Sequence, residues 1–343
     1  MIRPQYSRKN ARDRAFALAL LACAAATSAC QPAGAATTST TAAQGSAEPV
    51  ATPESVRVGD ALLRGTLLTP VSIGKPPVAL IIAGSGPTDR DGNSPLLPGK
   101  NNSLKMLAEG LAGRGIASLR YDKRGIAGST LGVTGEQDLT FSTFADDAVA
   151  WGQQLVEDER FSELVIVGHS EGGLIGILAS QRLAPARLVS IAGLGRPAGT
   201  VLREQLARQI TGEMLTTADS IIGVLERDGR VDSVPEMLLV LFRPSVQPYL
   251  ASFLRIMPAA ELARVNAPVL VIHGSTDAQI ARADAETLAS ATPGATLRIF
   301  EGMNHVLKPA PAGLAQQAAA YTDSTIALAP GLADTIAAFI RRR

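Results

Sequence analysis

The sequence predicts an α/β protein built on a doubly wound, mostly parallel sheet with helices on both faces. Three observations lead to this prediction. Short apolar runs typical of fully buried strands recur along the chain, helical segments alternate with them, and the connecting turns are short. One long interruption, residues 196–266, has helical patterning and no convincing strand. We interpret it as a helical lid inserted over the strand ends.

The core is predicted in two parts, residues 54–195 and 267–343, on either side of the lid. A hairpin comes first, because residues 56–58 and 62–69 flank the turn signal at Gly59 and Asp60. Alternation of strands and helices follows. Strands are predicted at residues 78–83, 116–121, 164–167, 187–192, 269–272 and 296–300, and helices at residues 103–114, 143–158, 174–179, 281–290 and 332–341.

The lid segment is predicted as four helices, at residues 201–210, 218–227, 234–242 and 248–256. Its large apolar side chains could line an acyl pocket or pack a small helical core. Packing is the preferred interpretation for most of them. The residues concerned are Met214, Met237, Phe242, Tyr249, Phe253 and Met257.

Composition excludes several classes of function. The 343 residues are 46% hydrophobic and 18% charged, which fits a globular protein with a sizeable core. The net charge is +1 and no basic stripe with interleaved aromatic residues is present, so nucleic acid is not an expected partner. The two cysteines, Cys23 and Cys30, precede the predicted fold. Folded residues therefore cannot supply a disulfide, a cysteine nucleophile or a thiolate metal site.

Residues 1–30 have the pattern of an export signal, with a basic start, an apolar stretch at residues 15–22 and a tract of small residues. The apolar stretch is too short to span a membrane comfortably. Residues 27–30 resemble the lipobox of bacterial lipoproteins, which implies that Cys30 is lipidated. Cys23 is a second candidate, and ordinary cleavage without a lipid is the alternative. The expected location is the bacterial cell envelope, periplasmic or anchored to a membrane.

Residues 31–53 consist mainly of Ala, Thr, Ser, Gly and Pro. Such a segment cannot bury enough apolar surface to offset the entropy of ordering. We predict a disordered linker there, suited to tether a domain to a lipid anchor.

The clearest functional motif is Gly168-His169-Ser170-Glu171-Gly172, between a predicted strand and a predicted helix. A turn this tight requires glycine on both flanks and exposes the serine hydroxyl above the sheet. An oxygen that becomes negative beside it would meet backbone N–H groups and the positive end of a helix dipole. The motif predicts Ser170 as a nucleophile.

A serine nucleophile needs a base, and near neutral pH that base is a histidine. His305 follows the last predicted strand, at the sheet edge where such folds bind ligands, and is the preferred base. His169 is expected to point away along its strand, and His273 to pack at a strand end. Asp277 follows another strand and is predicted to orient His305. Asp284 is the alternative, although it falls within a helical pattern and is expected to be solvated.

Acyl transfer also needs two N–H donors for the oxyanion. The backbone N–H of Glu171, directly after the nucleophile, is one candidate. The loop after strand 78–83 is rich in small residues and supplies the other. Ser85 is the preferred donor in that loop, with Gly86 as the alternative.

These motifs together resemble the α/β-hydrolase fold serine hydrolases, and within them the bacterial esterase and serine aminopeptidase-like group. The resemblance extends from about residue 56 to the C-terminus. Two features depart from familiar lipases: Ala83-Gly84, where many carry His-Gly before the oxyanion loop, and the charged Glu171 after the nucleophile. It implies a structural role for the loop of Asp122, Lys123 and Arg124. The matching stretches are residues 84–93, 120–129, 168–173, 273–277 and 302–305.

Arg90 borders the expected pocket. It is a candidate for binding a substrate carboxylate or phosphate, and an ion pair inside its own loop is the preferred alternative.

The sequence therefore predicts a hydrolase without metal or cofactor that cleaves carboxylic esters of a small-molecule acyl substrate through an acyl-serine intermediate. A thioesterase or an aminopeptidase is the alternative within the class. An aminopeptidase would need acidic residues in the lid, where Glu204, Glu213, Asp219 and Glu226 are available. A non-catalytic envelope binding protein on a hydrolase scaffold is the alternative of another class.

Overall fold

The computed structural model describes residues 48–71 and 74–342. The predicted export signal, with Cys23 and Cys30, and most of the predicted linker lie outside the described residues.

One mixed sheet of eight strands organises the chain, in the order β1-β2-β4-β3-β5-β6-β7-β8. β1 and β2 form an antiparallel hairpin and β2 is antiparallel to β4, whereas all other neighbours are parallel. The predicted mostly parallel sheet is confirmed. The strands are β1 (Val50–Val58), β2 (Ala61–Thr69), β3 (Val78–Ile82), β4 (Ala117–Tyr121), β5 (Leu164–His169), β6 (Arg187–Ile191), β7 (Val269–Gly274) and β8 (Thr296–Phe300).

Helices cover both faces of this sheet. Alternate side chains of β3 enter different apolar clusters: Leu80 packs in the cluster that contains Trp151, and Ile81 in the cluster that contains Leu107 and Ile336. Burial on both faces explains the continuous apolar run of β3. The helices are α1 (Ser103–Ala112), α2 (Phe141–Glu157), α3 (Glu171–Leu183), α4 (Ala198–Ala207), α5 (Glu213–Arg227), α6 (Leu239–Phe242), α7 (Gln247–Leu254), α8 (Pro258–Leu262), α9 (Arg282–Ala291), α10 (Ala318–Thr322) and α11 (Leu332–Ile340).

The predicted end of the linker at residue 53 is wrong, because β1 already begins at Val50. Val50 lies opposite Thr69, and the pairing with β2 continues from there to Val58 and Ala61 across the predicted two-residue turn. The side chain of Val50 is largely exposed. Backbone hydrogen bonds to β2 hold this part of the strand, and a hydropathy pattern does not report them.

The segment between β6 and β7 is helical as predicted, and it contains α4 to α8. Its helices bury apolar side chains in the same cluster as the neighbouring face of the sheet, with Leu206, Ile222 and Leu225 fully buried. Met237 and Met257 are mostly exposed, so these two neither pack a core nor line a pocket.

Candidate active site

Ser170 lies at the sharp turn between β5 and α3, with φ of 54° and ψ of −122°. A positive φ is strained for a residue with a side chain and persists only where its surroundings enforce it. The flanking glycines show how close those surroundings are. A Cβ at Gly168 would lie 2.2 Å from the carbonyl oxygen of Gly172, and one at Gly172 would lie 2.3 Å from that of Ile82. The predicted need for both glycines is therefore steric.

The structure brings Asp277 and His305 together from the loops after β7 and β8. Asp277 Oδ2 lies 2.8 Å from His305 Nδ1, and both side chains are almost fully buried. The other carboxylate oxygen of Asp277 accepts hydrogen bonds from the backbone N–H groups of Gln279 and Ile280. Burial alone would raise the pKa of Asp277, but the charge and hydrogen bond of His305 outweigh it and lower the pKa below its usual value.

An ionised Asp277 accepts the hydrogen on His305 Nδ1, so Nε2 is the ring nitrogen that can take up a proton. Ser170 and His305 border the same cavity. Asp277 and His305 are thus in contact, and His305 and Ser170 border one cavity at the carboxyl edge of the parallel strands.

His169 does not point away along its strand, as the sequence suggested, but packs against the loop of His305. Its Nε2 lies 2.8 Å from the carbonyl oxygen of His305, and the two rings are 4.9 Å apart between centroids. Because a carbonyl only accepts, His169 Nε2 carries the hydrogen. Burial, together with the charge of His305, lowers the pKa of His169 to about 3, so this ring is neutral at physiological pH. His169 fixes the backbone beside the candidate base.

The remaining alternatives occupy structural positions. His273 is buried at the end of β7, as predicted, and burial lowers its pKa. Asp284 is fully buried rather than solvated: it accepts hydrogen bonds from the backbone of Gly195 and Arg196 and pairs with the Arg196 guanidinium at 2.7 Å. The prediction of a solvated Asp284 is therefore wrong.

The two candidate donors of the loop after β3 lie in different surroundings. Ser85 borders both cavities that contain Ser170, and its carbonyl oxygen accepts a 2.7 Å hydrogen bond from the Thr88 hydroxyl. Gly86 borders a neighbouring cavity with Lys123. The geometry favours Ser85 over Gly86 as a neighbour of the serine.

A buried charge network that the sequence did not reveal lies directly beneath this turn. Lys123 Nζ donates to the carbonyl oxygen of Gly84 at 2.5 Å and lies 3.0 Å from Glu171 Oε1. The other carboxylate oxygen of Glu171 accepts from the hydroxyl of Tyr249, on α7. Lys123 and Glu171 are each 4% exposed, and the Phe144 ring lies 5.8 Å from the ammonium. The sequence showed only a run of charges after a buried strand, together with a family resemblance that implied a structural role for this loop.

Arg90 forms an ion pair, but its partner lies in the loop after β4 and not in its own loop, so the predicted pairing within the loop is wrong. Its guanidinium lies 2.5 Å from Asp122 Oδ2 and donates to the Thr66 hydroxyl. Among the described residues that border the two cavities at Ser170, Arg90 is not present. The interpretation of Arg90 as a substrate-binding residue is therefore not supported.

Two cavities meet at Ser170. The first is formed largely by the helical segment, the second by the loops after β3 and β8, and Ser85 and Gln279 border both. Phe242 and Phe253, two of the candidates for an acyl pocket, border the first, whereas Tyr249 borders the neighbouring cavity. Within the described part of the chain, no cluster of three or more His, Cys, Asp or Glu side chains could hold a metal ion.

The fold and this arrangement of side chains define an α/β hydrolase. Residues 100–308, more than half of the chain, match the model of the family described as serine aminopeptidase, S33. The chain belongs to the serine aminopeptidase S33 family, which agrees with the resemblance inferred from its motifs.

Individual relatives agree with this assignment. Esterase EstD of Thermotoga maritima is 27% identical over 250 residues, which cover 71% of this chain and 58% of EstD. Est1E from Butyrivibrio proteoclasticus superposes with a TM-score of 0.54 at 15% identity, over 84% of this chain and 97% of that one. The alpha/beta hydrolase GrgF from Penicillium gives 0.52 at 19% identity, over 75% and 91%. At these identities the two structures show the fold alone.

Proposed function

We propose that this protein is a serine hydrolase that cleaves carboxylic esters through an acyl-enzyme intermediate. The observation that carries the proposal is the Asp277–His305 pair on the cavity of Ser170. Membership of a family of serine hydrolases and similarity to an esterase support it.

In the proposed mechanism, Ser170 Oγ attacks the ester carbonyl while His305 Nε2 takes the hydroxyl proton. Asp277 holds the imidazole in the required tautomer and stabilises the imidazolium. The backbone N–H groups of Glu171 and Ser85 stabilise the oxyanion, and losing one such donor typically costs about 3 kcal/mol of activation free energy. His305 then protonates the leaving alcohol, and water hydrolyses the acyl-serine by the same route.

Charge pairing in the helical segment favours an ester over the free α-amine of an aminopeptidase substrate. Glu204 pairs with Arg196 at 2.6 Å, and Arg203 holds both Asp219 and Glu226. These carboxylates are already neutralised by arginine, so they do not provide an unpaired anionic site for an ammonium group. Glu213 lies at the exposed start of α5. It is not among the described residues that border either cavity at Ser170.

We also propose that the helical segment α4 to α8 acts as a lid over Ser170, and that the protein is exported and anchored through a lipid on Cys30. The lid is supported by the apolar side chains that α4, α6 and α7 contribute to the first cavity. Export rests on the sequence pattern of residues 1–30.

A fluorophosphonate probe tests the mechanism. The folded protein should form one covalent adduct, located on Ser170 by peptide mass spectrometry, and should hydrolyse p-nitrophenyl acetate. Ser170→Ala should lose both reactions and keep the unfolding transition of the wild type. An adduct on another residue, or hydrolysis by Ser170→Ala at the wild-type rate, would refute the assignment. Absence of adduct and of hydrolysis in folded protein would favour a non-catalytic binding protein.

A further inference from the structure

The two cavities at Ser170 differ in chemistry. The first has an empty volume of about 620 Å³, part of it open to solvent, and side chains of the helical segment form most of its wall. The second is of similar size, about 600 Å³, and about half of the residues along it carry a hydroxyl or amide group. Apolar residues of the first include Val201, Leu202, Leu241, Phe242, Leu250 and Phe253, and polar residues of the second include Thr88, Ser94, Asn101, Ser103, Gln279 and Tyr321.

The position of His305 decides which cavity receives which half of an ester. A base that takes the serine proton returns it to the leaving oxygen, so the leaving alcohol must lie within reach of His305. His305 borders the second cavity, and within the described chain it is absent from the border of the first. The alcohol therefore occupies the second cavity. The acyl group extends into the first, past Glu171, whose N–H is a proposed oxyanion donor.

The second cavity also selects by charge. No Asp, Glu, Lys or Arg is found among the described residues that border it. A leaving group with phosphates, such as that of a coenzyme A thioester, would need cationic partners there, and an ammonium group would need anionic ones. Ser94 retains a hydroxyl hydrogen, because the contact its Oγ makes is as acceptor from the backbone N–H of Leu96. These groups suit the hydroxyls of an uncharged alcohol.

We infer that the preferred substrate is an ester of an apolar carboxylic acid with an uncharged, hydroxylated alcohol. The inference rests on the proposed esterase function. Ser170 Oγ bonds to the acyl carbon and gives the oxyanion intermediate. The bond between the acyl carbon and the alcohol oxygen breaks when this intermediate collapses, and the serine proton passes through His305 to the released alcohol. Water then supplies the hydroxyl of the carboxylic acid and the proton returned to Ser170.

Four substrates test the inference on the full-length protein: glyceryl monohexanoate, propyl hexanoate, glyceryl monosuccinate and hexanoyl coenzyme A. The value of kcat/KM should be highest for glyceryl monohexanoate, by about tenfold over each of the others. Propyl hexanoate loses one or two hydrogen bonds, glyceryl monosuccinate lacks the apolar acyl chain, and the phosphates of coenzyme A find no cationic partner. A value for propyl hexanoate or hexanoyl coenzyme A equal to or above that for glyceryl monohexanoate would overturn the assignment of the second cavity. Equal values for the two glyceryl esters would overturn that of the first.

Two substitutions assign each preference to its cavity. Leu202→Trp should lower kcat/KM for glyceryl monohexanoate about tenfold more than it lowers that for p-nitrophenyl acetate, which has a two-carbon acyl group. Ser94→Val should reduce the preference for glyceryl over propyl hexanoate. Val240→Trp, on the exposed side of the helical segment, is the matched control and should change neither preference.

Failure of this inference is distinguishable from failure of the proposed function. Hydrolysis of p-nitrophenyl acetate without the expected preferences, or with preferences that neither substitution shifts, overturns the inference alone. No hydrolysis of any ester by folded wild-type protein overturns both.

Discussion

The ion pair beneath the nucleophile offers a sharp test of how the site is held. Lys123 Nζ donates to the carbonyl oxygen of Gly84, and the N–H of that same peptide group belongs to Ser85. Glu171, its ionic partner, bears the other proposed oxyanion donor on its backbone. One buried pair therefore orients both donor peptides, and the cation polarises one of them. We expect Lys123→Met to lower kcat even though the Lys123 side chain does not contact the substrate.

The size of the expected decrease in kcat follows from the interactions that Lys123→Met removes. Direct removal of an oxyanion donor costs about 3 kcal/mol. Because Lys123 acts through a peptide group, we expect about 1–2 kcal/mol, which is roughly a 5- to 30-fold decrease in kcat. Stability should fall by about 3–5 kcal/mol, since Glu171 would keep a buried charge without its cation. Urea unfolding and kcat for p-nitrophenyl acetate, corrected for the folded fraction, measure the two effects.

Two further variants separate catalysis from stability. Arg124→Met is the matched control, because Arg124 forms an equally buried pair with Asp147 and neither is among the described residues that border the two cavities at Ser170. It should lose comparable stability and keep kcat. The double variant Lys123→Met/Glu171→Gln leaves no buried charge, so it should regain most of the stability and keep the low kcat. If kcat recovers together with stability, or if Arg124→Met lowers kcat equally, the positioning argument is refuted.

Two other predictions concern the carboxylates and the neutral histidine. Asp277→Asn should lower kcat by about 10⁴-fold with little loss of stability, because His305 loses the acceptor that fixes its tautomer. Asp284→Asn should leave kcat unchanged and lower stability by about 1–3 kcal/mol. The opposite result for the two variants would exchange the roles of Asp277 and Asp284. His169 binds a proton in the unfolded chain below about pH 6.5 but in the fold only below about pH 3, so stability contributed by the neutral ring falls as the pH drops through this window. Between pH 7 and pH 5 the wild type should therefore lose about 2 kcal/mol more than His169→Gln in urea unfolding, and equal losses would show that His169 binds its proton equally well in the folded and unfolded states.

Strands buried on both faces were predictable because their pattern is local. β3 to β8 end within two residues of their predicted ends, since each needs only a continuous apolar run between turn signals. β1 was predicted too short because pairing with β2, not side-chain burial, holds its first residues. The short helix Ala318–Thr322 was missed for a related reason: it is a single turn or so, stabilised by packing of Tyr321 rather than by its own periodicity.

Within the site, the residues that could be predicted are those fixed by one strand end. Ser170, Asp277 and His305 each lie within five residues of a strand end, and parallel strands bring their carboxyl ends to one edge. The partner of Lys123 could not be found in this way. Its contacts with Gly84 and Glu171 join the ends of three strands, and the choice between pairing and solvation depends on burial that only the assembled fold defines.

Tyr249 connects the helical segment to the Lys123–Glu171 pair. Its hydroxyl donates to Glu171, so α7 is attached to the carboxylate that also holds Lys123. A displacement of α7 would remove this donor and open the wall that Leu250 and Phe253 give to the first cavity. In the proposed mechanism, acyl binding and oxyanion geometry would therefore depend on one helix. We expect an acyl group that packs against α7 to stabilise the arrangement in which the donors are aligned, so part of its binding energy should be expressed in kcat rather than in KM.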